Sequence, residues 1–214
     1  MPVPARLVAD HVSMRFGRRR LFDGLSVEVV PGAPLAVVGA NGSGKSTLLR
    51  VLAGLTAPTG GAVRLEVGGG VVPPEALPRT VGFVAPALDL YEPLTARETL
   101  RFLASARRLP GPERRIDAVL DRVGLGDRAD DAVGAFSTGM RQRLRLATAL
   151  LHDPPVLLLD EPGATLDEAG RGLVQSVIAT DKIVVVATND PGEAALCARR
   201  LALGGVGEPA APPG

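Results

Sequence analysis

Between Gly39 and Ser46 the chain reads "GANGSGKS", three glycines running into a lysine and a hydroxyl. Glycines let a backbone curl with its N–H groups turned inward and no side chain in the way, which suits an oxyanion. The lysine is informative because Lys and Arg together number 24 and only Lys45 and Lys182 are lysines. Lysine is a compact charge on a flexible stem. It reaches β- and γ-phosphates inside a narrow loop, where a wide guanidinium does not fit. Gly39, Gly44, Lys45 and Ser46 match G-x-x-x-x-G-K-[ST], with Asn41, Gly42 and Ser43 completing the loop. This is a phosphate cradle in which Ser46 offers its hydroxyl to Mg²⁺ and Thr47 reaches another phosphate oxygen.

A second group lies in "VLLLDEP", which ends an apolar run on Asp160 and Glu161. A strand covered on both faces has this pattern, and open α/β sheets bind ligands at such carboxyl ends. Asp160 is suited to hold Mg²⁺, and Glu161 to accept a proton from an attacking water.

These groups need a scaffold of strands and helices. Val8, Val12, Met14 and Phe16 alternate, as do Leu25, Val27 and Val29, predicting two half-buried strands joined by a turn near "GRRRLFDG". "PLAVVG" lacks alternation and predicts a buried strand, followed by a helix from Lys45 that stops near Gly54. "AVRLEV" alternates again, before Gly and Pro break the chain through "GGGVVPPEALP". From about Leu94 to His152 the sequence reads mostly as helix, with breaks at "LPGP" and "GLGD". A helix near Glu168 to Thr180, the strand "IVVVAT" and a helix over Pro191 to Cys197 follow. The alternation implies an α/β fold with a mainly parallel sheet, helices on both faces and a frayed tail over 207–214.

The bulk properties exclude several classes. A chain of 214 residues that is 46% hydrophobic suits one compact domain. A formal net charge of +1 predicts no nucleic-acid footprint. The single cysteine, Cys197, cannot form an intrachain disulfide, which favours a reducing compartment. No secretory signal or membrane-spanning run is visible, so any membrane role needs a partner. His11 and His152 lack metal-ligand spacing, and Arg18 to Arg20 read as a solvated hairpin turn. Cys197 reads as packing, and Arg107 and Arg108 as complements of a helix dipole.

"FSTGMRQRLRLATALLHDPPVLLLDEPGATLD" resembles the ATP-binding cassette (ABC) ATPases, and the likeness extends over nearly the whole chain. The resemblance implies a P-loop NTPase (RecA-like) core with an N-terminal antiparallel β subdomain. A helical signature subdomain, about 87–150, would be inserted in a single domain over 1–206. Phe136 to Met140 match the family's LSGGQ-type signature, so Ser137 and Gly139 are expected to meet the γ-phosphate of ATP held by a second copy. "GATLD" resembles the D-loop and carries Asp167 to the same interface, while Phe16 matches the aromatic that stacks on adenine. Two positions depart from the family pattern. Pro86 stands where a glutamine is usual, and Asn189 where a histidine contacts the γ-phosphate; an amide donates a hydrogen bond but cannot become cationic.

The resemblance implies an ATPase using ATP and Mg²⁺ that works as a head-to-tail homodimer. It implies the ATP-binding subunit of a transporter, similar to haem-exporter and multidrug-exporter subunits, with separate transmembrane permease subunits contacted around Ala87 to Arg108. The expected place is the cytoplasmic face of the membrane, without insertion, and the expected direction is export. Pro86 and Asn189 leave open a slower ATPase or a regulatory module that dimerises on ATP with little hydrolysis. A non-transport ABC ATPase is a third reading, although such proteins carry coiled coils or a second cassette.

Overall fold

The computed structural model describes residues 5–204; the tail expected over 207–214 lies outside them. The N-terminal alternation becomes a hairpin of β1 (Ala5–Phe16) and β2 (Arg19–Val29). Phe16 pairs with Arg19, so the turn is only Gly17 and Arg18, with Gly17 at φ 57°. It is therefore much tighter than "GRRRLFDG". Arg19 and Arg20 belong to β2 because they pair with Phe16 and Arg15; a register shift between Val12 and Met14 puts Phe22, out of phase with Leu25 and Val27, into the core. A bulge at Asp10–His11, with His11 at φ 49°, shifts the register of β1. Leu7 and Ala9 consequently face the core before it and Val12 and Met14 after it, whereas Val8 is only half-buried.

β3 (Leu35–Val38) leads into α1 (Lys45–Leu52), and β4 (Gly60–Val67) and β5 (Gly70–Val71) complete an antiparallel sheet ordered β2-β1-β4-β5. After the short α2 (Leu77–Thr80) come β6 (Val81–Val84) and three helices: α3 (Ala96–Ala106), α4 (Pro112–Arg122) and α5 (Thr138–Leu150). Thr95 and Glu98 form a reciprocal cap on α3, and Pro112 opens α4 directly after Gly111. The chain then runs through β7 (Val156–Asp160), α6 (Glu168–Ile178), β8 (Ile183–Ala187), α7 (Pro191–Ala195) and β9 (Arg199–Ala202).

The second sheet, ordered β6-β7-β8-β3-β9, is parallel throughout. Every residue of β7 and β8 is buried. Successive side chains point to opposite faces: Val156, Leu158, Ile183 and Val185 join the core shared with the antiparallel sheet and α1. Leu157, Leu159, Val184 and Val186 join the core shared with α3, α4 and α5. Polar groups at the carboxyl ends of these strands are thus set between two packed layers.

β9 carries no hydrophobic pattern in the sequence, its residues being exposed or half-exposed. It is an edge strand whose signal is backbone pairing with β3, as in Leu203 N–H to Val38 O at 2.7 Å, rather than any hydrophobic pattern. No helix among the described residues is long and apolar enough to cross a membrane.

Candidate functional site

The loop from β3 to α1 takes backbone conformations that glycine alone adopts readily. Gly39, Gly42 and Gly44 have φ of 153°, 77° and 102°. At Gly39 close approach adds to this, since a Cβ there would lie 1.9 Å from the Leu203 carbonyl oxygen. Lys45 opens α1 and is only 7% exposed. Its Nζ donates to Gly39 O at 2.7 Å, Ala40 O at 3.4 Å and Asn189 Oδ1 at 3.1 Å. The lysine thus bends back over its own loop, its charge shared among two loop carbonyls and the Asn189 amide.

Asp160 ends β7 beside Ser46 and is 4% exposed. Burial pushes its carboxyl above the usual range, opposed by the Ser46 hydroxyl and the charges of Lys45 and Arg50. A buried carboxylate next to a hydroxyl is a hard-oxygen pair that gains from a cation. No cluster of three or more His, Cys, Asp or Glu able to hold a metal occurs among the described residues. Two protein oxygens, with phosphate and water supplying the rest, suit Mg²⁺. Glu161 follows at φ 47°, a strained conformation for a side-chain residue, fixed by its N–H donating to Ala187 O at 2.8 Å.

These elements meet at one cleft of about 490 Å³. Asn41, Gly42, Gly44, Lys45, Ser46 and Thr47 form its floor, with Asp160 and Glu161 beside them. Phe16 forms part of the wall and is 57% exposed, so it is no core residue, and Pro86 also lines the cleft. Gly39 contributes through its carbonyl to Lys45, and Ser43 Oγ is buried without a partner among the described residues. Asn189 touches the cleft through Lys45 and through Asn41, whose Oδ1 accepts from its Nδ2 at 2.7 Å.

Ser137, Gly139 and Asp167 do not line this cleft; they line a second one of about 640 Å³. Ser137 caps α5, its hydroxyl accepting from Met140 N–H at 3.2 Å. Asp167 caps α6 by accepting from Gly170 N–H at 2.9 Å, and Arg143 Nη2 donates to the same oxygen at 2.7 Å. The Gly170 amide, then Arg143, holds the Asp167 carboxyl below the usual range.

Several contacts at the site lay beyond sequence reading. Arg19 donates to Gly42 O at 2.9 Å and also lines the first cleft, although the sequence placed it in a solvated turn. Gln142, 3% exposed, donates from Nε2 to Pro162 O at 3.0 Å, joining α5 to the turn after Glu161. Cys197 is half-buried, with its thiol pushed up to about 11 by burial. His11 is exposed beside Asp10, while burial and then Arg107 push the half-buried His152 down to about 4.

The family profile described as ABC transporter matches residues 22–164. Over 205 residues the chain is 35% identical to the Nod factor export ATP-binding protein I of Paraburkholderia xenovorans (strain LB400), covering 92% of this chain and 67% of the relative. Over 208 residues it is 37% identical to the aliphatic sulfonates import ATP-binding protein SsuB 2 of Paracoccus denitrificans (strain Pd 1222), covering 94% and 78%. It spans between 52% and 67% of the length of three of the relatives it matches. A dimeric ATP-binding cassette in a post-hydrolysis state bound to ADP and Pi has a TM-score of 0.78 at 26% identity, covering 92% of this chain and 94% of that one.

Proposed function

The chain belongs to the ABC transporter family of ATP-binding cassettes, and on that premise we propose that it hydrolyses ATP to ADP and phosphate as the ATP-binding subunit of a transporter. The observation that carries this reading is the single cleft in which Lys45, Ser46, Asp160 and Glu161 converge beneath Phe16. Phe16 offers a flat apolar face to an adenine ring. The loop amides and Lys45 grip the phosphates, and the start of α1 adds its positive end. Ser46 and Asp160 would hold Mg²⁺, which when bound offsets charge on the phosphate oxygens. Glu161 takes the proton of the attacking water, and Asn189 offers Nδ2 to the terminal phosphate.

Ser137, Gly139 and Asp167 lie in a different cleft of the same chain. They meet nucleotide when a second copy closes head to tail, bringing the start of α5 to the γ-phosphate. Closure driven by ATP would move separate transmembrane subunits at the cytoplasmic face, with export the proposed direction. The named relatives include one exporter and one importer component. A nucleotide-gated dimerisation module with little hydrolysis is the second reading, favoured by Pro86 at the cleft. Phosphate release by the purified chain, with and without a co-purified membrane partner, separates the two. Turnover that depends on Glu161 supports the enzyme; ATP-dependent dimerisation without turnover supports the module.

A further inference from the structure

Glu193, on α7, plays no part in the chemistry described above, yet its carboxyl is enclosed. Its Oε1 accepts from the Gly163 N–H at 2.8 Å, while Oε2 is buried with no hydrogen-bond partner among the described residues. Burial pushes this carboxyl up; the Thr188 hydroxyl and the Gly163 amide oppose the shift, and Asp190 and Glu161 add to it. A buried carboxyl is costly to desolvate, and the hydrogen bonds that offset that cost fix its place.

What Glu193 holds is the turn that follows Glu161. A Cβ at Gly163 would lie 2.2 Å from Glu193 Oε1, so only glycine admits this approach. The neighbouring Pro162 carbonyl is already fixed by Gln142. On its other side Glu193 belongs to the segment that carries Asn189. Asp190 caps α7 by accepting from the N–H groups of Gly192 and Glu193 at 2.6 and 3.4 Å. One carboxyl therefore ties the Asn189 segment to the stretch running from Glu161 to Asp167.

Resting on the hydrolytic reading above, we propose that Glu193 is a positioning residue, clamping the Gly163 amide so that Glu161 and Asp167 keep their places relative to Asn189. A shift of Asn189 towards a terminal phosphate is then passed through Glu193 and Gly163 to Asp167, which sits outside the phosphate cleft. A plain packing role would lower stability without separating binding from turnover.

The test uses the full chain as wild type, Glu193→Ala, Glu193→Gln and Gly163→Ala, with ATP hydrolysis and amide exchange of 161–167 as readouts. In Glu193→Ala, kcat falls about 10- to 100-fold, the cost of slight misplacement, while KM for ATP stays within about threefold. Gly163→Ala behaves likewise, and Glu193→Gln, which keeps an acceptor oxygen, restores most of kcat. Exchange at Gly163 speeds up in Glu193→Ala and not in Glu193→Gln. An unaltered kcat in Glu193→Ala overturns the proposal, as does a loss that glutamine does not rescue or one matched by a raised KM. A wild type without turnover counts against the hydrolytic reading. The exchange measurement needs no nucleotide and judges the clamp alone, since unchanged exchange in Glu193→Ala overturns it.

Discussion

Asn41 and Asn189, the only two asparagines of the chain, are hydrogen-bonded to each other, Nδ2 of Asn189 donating to Oδ1 of Asn41 at 2.7 Å. At its other end Asn189 accepts from Lys45 Nζ at 3.1 Å. A single amide thereby ties the phosphate loop to the segment after β8. With Gly39 O, Ala40 O and Asn189 Oδ1 all accepting from Nζ, a phosphate oxygen that took a hydrogen bond from Lys45 would have to displace one of them. Asn189 is thus one of the acceptors with which a bound phosphate would compete for Lys45.

Replacing Asn189 by Ala should therefore move two quantities in opposite directions. ADP, which lacks the terminal phosphate that would repay Asn189, binds about 3- to 10-fold more tightly. That is the worth of roughly one net hydrogen bond, about 0.5–1.5 kcal/mol. Turnover of ATP falls at the same time. Titration calorimetry with ADP and single-turnover hydrolysis are the measurements; unchanged ADP affinity would show that the bridge does not restrain Lys45.

Lys45 and Glu161 should separate binding from chemistry. Lys45→Ala removes charge-assisted bonds worth about 1.5–3 kcal/mol, so equilibrium dialysis should show ATP affinity reduced about 10- to 150-fold. Glu161→Gln retains size and backbone contacts but loses the base, so turnover falls at least about 100-fold with ATP still bound. A fully active Glu161→Gln protein removes Glu161 from water activation.

The difference between what the sequence disclosed and what it hid is one of distance along the chain. Gly39 to Ser46 and Asp160 to Glu161 are readable because strand, loop and helix follow one another, and local residue types state the chemistry. Arg19 was not readable as a contact of the loop: its bond to Gly42 spans 23 positions and depends on a two-residue hairpin that local composition did not suggest. Arg143 on Asp167 and Glu193 on Gly163 likewise join segments 24 and 30 positions apart. β9 has no pattern of its own and exists because β3 leaves an edge to pair with.

His152 makes stability sensitive to acid. Burial, then the charge of Arg107, pushes it down to about 4, below its ordinary 6.5. Between those values the unfolded chain binds the proton more readily than the folded one, so stability falls as pH drops from 6.5 and the loss levels off below 4. The full effect is up to about 3 kcal/mol. Urea unfolding of wild type and His152→Leu from pH 7 to 4 isolates it, because the buried carboxyls Asp160 and Glu193 titrate equally in both. Wild type should lose stability relative to His152→Leu as the pH falls towards 4; parallel curves would show that His152 takes up its proton without cost.

The separation of the two clefts predicts complementation between chains. Lys45 lines one cleft and Gly139 the other. A Cβ at Gly139 would lie 3.3 Å from Thr165 O, so Gly139→Asp brings a carboxylate to the start of α5, where an incoming γ-phosphate would be repelled. Gly139→Asp alone should bind ATP like wild type yet not dimerise on it, while Lys45→Ala should bind ATP about 10- to 150-fold more weakly and stay empty at concentrations that just saturate wild type. Mixed, the two pair the intact Lys45 cleft of one chain with the intact Ser137 and Gly139 of the other, forming one complete site per dimer. Phosphate release should then reappear at up to about half the wild-type rate per dimer, on the arithmetic that one site of two is whole. Light scattering would report ATP-dependent dimers in the mixture and none in either variant alone. If the mixture stays as inactive as its components while wild type turns over, the head-to-tail arrangement is wrong and each chain must complete its own site.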